Sequence, residues 1–253
     1  MNEELNREPA KQEDAAIVEP GFYKSWYKGL RFLKESLLTR SKLTIAFFAV
    51  CIFDALGPKI PGVELVEIGL LFFIAHDVIQ RARAEKEGRP VEEVVKEAGG
   101  AETRMFFNSA IFGVCFVLSS LLLIAPGIWF VSRASLAIIF VSVERKGPIG
   151  GFLSSFELTK GHFKKTLTYM FFAPISIFLV PLVPYFGFAI LMGIICSQSN
   201  FDNPEKFFES IEKYLDLLYI PLFNLLQISI YTPMYDLYWY YKKLKEEKEA
   251  VST

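Results

Sequence analysis

Long apolar runs, separated by short stretches rich in lysine and arginine, constrain this chain more than any other feature of its sequence. A bilayer core of roughly 30 Å asks for about 20 mostly apolar residues per helix, fewer where charged flanks reach back to the interface. Five stretches meet that requirement and one exceeds it. Leu43 to Ile60 and Val63 to Gln80 are joined by Gly57, Pro58, Pro61 and Gly62, a turn signal that makes them a tight helical hairpin. Phe106 to Ala125 and Ile128 to Val143 form a second hairpin across Pro126 and Gly127. The fifth run, Thr166 to Cys196, would be about 46 Å long as a helix. It carries Pro174, Pro181 and Pro184, so it is expected to cross once with a kink, a re-entrant break at 181–187 being the alternative. The sixth, Leu215 to Tyr241, is interrupted by Pro221 and Pro233 and ends in the aromatic segment YDLYWYYKK, which suits the headgroup layer.

Composition points the same way: 52% of the 253 residues are hydrophobic and 25 are Phe, more apolar surface than a soluble core needs. The expected fold class is all-α, a polytopic integral membrane protein with six transmembrane helices. Net charge is only −1, which gives no general drive toward nucleic acid. The charges are instead segregated. Lys24 to Lys42, Arg81 to Arg104, Arg145 to Lys165 and Lys242 to Lys248 carry nearly all the cations between runs, whereas the opposite loops carry Lys59, Lys206 and Lys213. By the positive-inside rule both termini are cytoplasmic, and the chain is expected in the cell (inner) membrane. Residues 1–21 are acidic, polar and free of a signal-peptide core, and are expected to be a disordered tail; 246–253 form a charged C-terminal tail.

Two cytoplasmic segments have interfacial character. Residues 22–38 mix aromatic residues and leucine with lysine and arginine at helical spacing. Between the fourth and fifth runs, Pro148 opens a helix expected to present Ile149, Phe152, Leu153 and Phe156 on one side and to stop at Gly161. Both are expected to lie on the lipid bilayer, with anionic lipids at the cytoplasmic face or protein partners, including a second copy, as their contacts.

Charged groups inside apolar runs are costly, which makes each a functional candidate. Arg133 lies about one and a half turns beyond Pro126 and Gly127, at the expected outer level of Asp54, Glu64 and Glu67, so an ion pair to one of these acids is the leading reading and an anion site the alternative. His76 and Asp77 end the second run and Asp236 the sixth, at shallow depth where they would face water. HDVIQRARAEKE (76–87) and YDLYWYYKKLKE (235–246) share a pattern that would mark a weak internal repeat. Asn224 and Gln227 are the deep amides, suited to interhelical hydrogen bonds. Cys51, Cys115 and Cys196 sit in apolar runs without pairing motifs and read as small hydrophobes. No metalloprotease, phosphate-loop, dinucleotide or nucleophile-elbow motif occurs, so neither an enzyme nor a cofactor is expected.

The stretch from Ala125 to Phe163 carries Pro126, Gly127 and Ile128, then Arg133 in the next helix, Glu144 ending it, Gly147, and Ser155, Leu158, Thr159, Lys160 and Gly161. In this order the residues resemble a bacterial family of multi-spanning proteins that includes the YciC-like proteins and the membrane domain attached to some glycerophosphodiester phosphodiesterases. The closing segment is similar as well, with Tyr235 and Asp236 matching and Tyr238 or Trp239 where a basic residue is usual. The resemblance covers about Met105 to Lys245 and implies an all-helical membrane domain. It does not imply phosphodiesterase activity, which in the fused proteins belongs to a separate soluble barrel. The leading expectation is a non-catalytic membrane module that organises or regulates partners or lipids through the helix around Ser155 to Gly161. A small transporter lined by Arg133, Asn224 and Gln227 comes second, and a membrane-embedded lipid enzyme last.

Overall fold

A computed structural model of the chain describes residues 18–56, 62–122, 124–198, 219 and 221–252, and these are all-α. Residues 1–17, residues 57–61 with the expected turn residues Gly57, Pro58 and Pro61, the side chain of Glu64 and residues 199–218 lie outside them. Among the described residues eleven helical stretches follow one another: α1 (Phe22–Thr39), α2 (Ser41–Leu56), α3 (Val63–Glu87), α4 (Val91–Glu97), α5 (Ala101–Leu122), α6 (Ile124–Ala134), α7 (Ala137–Val143), α8 (Pro148–Leu158), α9 (Phe163–Gln198), α10 (221–228) and α11 (Tyr231–Ser252).

α1 is the amphipathic helix that its spacing predicts. Its buried face is Phe22, Ser25, Gly29, Phe32, Leu33 and Ser36, while Tyr23, Tyr27 and Leu38 point outward. The small residues on that face let it lie close to α3 and α11. A Cβ on Gly29 would overlap the Ser229 carbonyl at the start of α11. At Arg40 the chain turns, and α1 and α2 meet at 96°. α3 runs past the expected span end and stops at Gly88, whose φ of 63° is the left-handed conformation that suits glycine at a helix end.

Several expected boundaries are corrected. The fourth run is not one helix: it breaks at Ser135 and Leu136 between α6 and α7. Pro126 and Gly127 do not form the hairpin turn but sit in the first turn of α6, where a missing N–H costs nothing. The fifth run is helical without interruption from Phe163 to Gln198, so the re-entrant break at 181–187 does not occur. The sixth run breaks at Ser229 and Ile230, and residues 246–252, expected as a tail, continue α11. Among the described residues one stretch, Pro126–Val143, is long and apolar enough to cross a membrane, and α1 with α2 passes the same test only as a bent pair; six such helices were expected.

The core gathers around one end of the bundle. Ile74, Val78 and Ile79 of α3, Leu136 just before α7 and Ile139 within it, and Tyr235, Tyr238 and Tyr241 of α11 are all buried there. A second, smaller cluster packs Phe112 and Phe130 against Phe152 and Phe156 of α8. α8 and α7 approach closely because position 151 is glycine; a Cβ there would stand 2.7 Å from Val141 Cγ2 and 2.9 Å from the Ala137 carbonyl. Gly151→Ala is expected to lower the unfolding free energy by about 1–3 kcal/mol through overpacking. Gly150→Ala, where the nearest atom is an ordinary 3.7 Å away, should be neutral or stabilise by up to about 1 kcal/mol. Thermal unfolding of the pair in detergent checks the contrast, and equal midpoints would contradict it.

Candidate functional site

The most organised polar chemistry lies where α1 crosses α3 and α11. Asp77 is buried, and both of its oxygens are used: Arg40 Nε donates to Oδ1 at 3.0 Å and Arg81 Nε to Oδ2 at 2.8 Å. Arg81 also donates to Thr39 Oγ1 at 3.0 Å and lies 3.4 Å from Glu35 Oε2. The carboxylate thereby joins the end of α1, the start of α2 and the middle of α3. Farther along α1, Lys28 and Arg31 hold Glu85 at 2.9 and 2.7 Å. Lys86 of α3 reaches the buried Asp236 of α11 at 3.2 Å, with Lys28 at 3.9 Å. Trp26 completes the seam by donating to Ser229 Oγ at 2.6 Å.

A second cluster ties α7 and α8 to α11. Glu144 accepts the Tyr238 hydroxyl at 2.5 Å, and Lys242 and Lys146 approach its carboxylate at 3.2 and 3.1 Å. Burial by itself would raise the Glu144 carboxyl, but the Tyr238 and Lys146 hydrogen bonds and the Lys242 charge outweigh it and hold the group below the usual carboxylate range. Lys146 also donates to Ser154 and Lys245 to Glu157, so these side chains wall a cleft of about 160 Å³.

The Ser155 and Thr159 motif has a structural task. Ser155 Oγ donates to the Arg133 carbonyl at 2.6 Å and accepts from Leu136 N at 3.2 Å, and Thr159 Oγ1 lies 3.3 Å from the same carbonyl. Those are the backbone groups freed by the break between α6 and α7. Both side chains are wholly buried, and Phe152 is buried with them, whereas Ile149, Leu153 and Lys160 are exposed. The outward face of α8 is therefore not the one its spacing suggested. Gly161 takes a φ of 85° just beyond it.

Other expected site residues are dispersed. Arg133 is not paired with an acid among the described residues; its guanidinium lies over Trp129 at 5.8 Å. Glu67, buried, accepts from Asn224 at 2.7 Å instead. Asp54 is half-buried on α2, and Gln227 faces a cavity. His76 and Asp77, expected to face water, are 1% and 2% exposed. His76 Nδ1 stands 3.1 Å from Ser142 Oγ and its Nε2 3.9 Å from Glu102, the order of a nucleophile, base and acid. Ser142 is wholly buried and also receives the Gln80 amide at 3.0 Å. Sequence reasoning named Asp77 and Tyr238 but missed their partners, Arg40 and Arg81 for the first and Glu144 for the second. The spacing of Asp77 and Arg81, four apart on a helix, was the available signal.

Asp77→Asn is expected to leave two guanidinium groups without their shared counter-charge. Breaking one side of a buried pair costs about 3–5 kcal/mol, so the variant should unfold well below the wild type. A midpoint within a degree of the wild type would show that the cluster is not holding α1.

Comparison with models of protein families, with curated proteins and with solved structures finds no match to this chain.

Proposed function

We propose that the chain is a non-catalytic, multi-pass protein of the cell membrane, with six spans and both termini cytoplasmic, whose basic end engages anionic lipid and partner proteins. One observation carries this reading: polar and apolar surfaces are distributed inversely to those of a soluble bundle. At the basic end Asp77, Arg81 and Asp236 are buried in ion pairs, and the other pairs lie nearer the surface. Along α9, Phe172, Ile175, Leu179, Val183, Phe186, Ile190 and Ile194 are all exposed, at spacings of three and four residues. That stripe is about 33 Å long, close to the thickness of a bilayer core. Ile45 and Ile52 on α2, Leu65 and Val66 on α3, and Val114 and Leu118 on α5 add exposed apolar surface within the expected spans. Contiguous patches of this extent are rare on soluble monomers and mark a membrane or partner surface.

The acids nearest the basic end support a non-catalytic role, because Asp77, Glu85, Glu144, Glu157 and Asp236 each hold a cation. Cations in excess of these pairs supply the contact surface. Among the described residues Lys24, Lys34, Lys42, Lys160 and Lys164 are exposed with no carboxylate in ion-pair range. The start of α9 lies against the start of α1, where Phe22 meets Tyr169 edge to face and Lys165 pairs with Glu19, so several of these lysines share one end. Membership of the YciC-like family, suggested by the motif from Pro126 to Gly161, belongs to the same proposal. A path through Arg133 and Asn224 has less support, since Asn224 is bound to Glu67.

The reading is tested in nanodiscs of phosphatidylcholine with and without phosphatidylglycerol. The anionic lipid should raise the unfolding midpoint, and replacing Lys24, Lys34, Lys160 and Lys164 by Gln should remove most of that rise, at about 1 kcal/mol per lysine near the surface. An unchanged rise in the variant, or release of the wild type from vesicles by alkaline carbonate, would contradict the proposal.

A further inference from the structure

Two of the helix breaks open onto one cavity. α6 gives way to α7 at Ser135 and Leu136, and α10 gives way to α11 at Ser229 and Ile230. Ser135 from the first break and Ile230 from the second both line a cavity of about 330 Å³, closed in by α5 and the start of α9. In hydrocarbon a helix break frees backbone groups, and it is tolerated where protein or a cavity surrounds it. Paired discontinuous helices are also where membrane proteins build binding sites. Ser155 repairs the first break from outside the cavity, and short-range bonds from Ser229 N to the Leu226 carbonyl and from Ile230 N to the Gln227 carbonyl repair the second.

The lining defines what fits. Its hydrogen-bonding groups are two carboxamides, Asn108 and Gln227, and the hydroxyls of Ser109, Ser135 and Tyr231, of which Asn108 already donates to the Pro148 carbonyl at 3.0 Å and Ser135 to the Ser132 carbonyl at 3.3 Å; the rest is apolar, including Met170 and Met234. None of these side chains is charged, so an ionic ligand would lose its hydration with no counter-charge in return. An uncharged head with an apolar body meets both halves of the lining, and the methionines can adapt to a flexible chain. Met170 is the residue of α9 that lines the cavity, and the exposed Phe172, Ile175 and Leu179 lie on the opposite face of that helix. We propose that the cavity binds one uncharged acyl lipid of the diacylglycerol class, its hydroxyl and ester groups at Ser109, Gln227 and Tyr231, the start of a chain against Met170 and Met234, and the rest of the lipid leaving by the cavity's open side. This inference rests on the membrane reading above.

The full chain in phosphatidylcholine nanodiscs would be exposed to a tracer diacylglycerol carrying a diazirine in one acyl chain, irradiated and mapped by peptide mass spectrometry. A phosphatidylcholine probe with identical chains serves as the comparison. Peptides containing Met170 and Met234 should be labelled by the neutral probe and about fivefold less by the choline probe. Gln227→Leu, which removes a hydrogen-bonding group while nearly keeping volume, should cut the neutral labelling about fivefold, the loss of one hydrogen bond. Ser109→Phe, which fills the cavity, should abolish it. Unchanged elution and unfolding midpoints show that both variants are folded. Equal labelling by the two probes, or labelling indifferent to both substitutions, would overturn the inference while leaving the membrane reading intact. A chain that fails to float with vesicles would overturn both.

Discussion

A carboxylate with almost no contact with water has to be neutralised by something, and at Asp77 that requirement joins three helices. Arg40 sits at the bend between α1 and α2, Arg81 one turn along α3, and both guanidinium groups converge on the same side chain. Replacing such a pair by apolar residues is often no loss of stability, so its value lies in fixing one arrangement rather than in net energy. Here the arrangement is α1 laid across α3 and α11. Lys28 bridges toward both neighbours, Glu85 on one and Asp236 on the other, and Gly29 allows the approach.

From that seam the remaining packing can be followed. α11, held by α1, brings Tyr238 to Glu144 at the end of α7. α7 is separated from α6 by a break whose free backbone groups are met by Ser155 and Thr159. Those hydroxyls require α8 to turn its Ser155 face inward, which buries Phe152 and leaves Ile149 and Leu153 outside. Ser155 and Thr159 of the motif thus act within the fold, and the exposed residues of the same segment are Glu157, Lys160 and Gly161.

Much of the helix content was legible in the sequence, because apolar length, the interfacial pattern of residues 22–38 and the basic loops are local features. What was not legible depends on distant partners. Asp77 and His76 end an apolar run and look shallow, yet α1 and α5 cover them, and no local pattern announces that. The break at Ser135 and Leu136 lacks both Gly and Pro; it is made possible by hydroxyls about twenty residues later. Conversely, Pro126 and the three prolines of α9 signalled breaks that do not occur there. Arg133 was placed by its distance from Pro126, and its backbone carbonyl instead meets α8, away from Glu67, which Asn224 occupies.

The central claim is that the exposed apolar stripe of α9 faces lipid while the ion-paired end faces water. Single spin labels placed in turn along residues 172–194 of the chain in lipid bilayers, read for collision with oxygen and with a water-soluble nickel chelate, test it directly. The account predicts oxygen maxima at 172, 175, 179, 183, 186, 190 and 194, with nickel collisions low throughout. Nickel-accessible maxima at those same positions would contradict it.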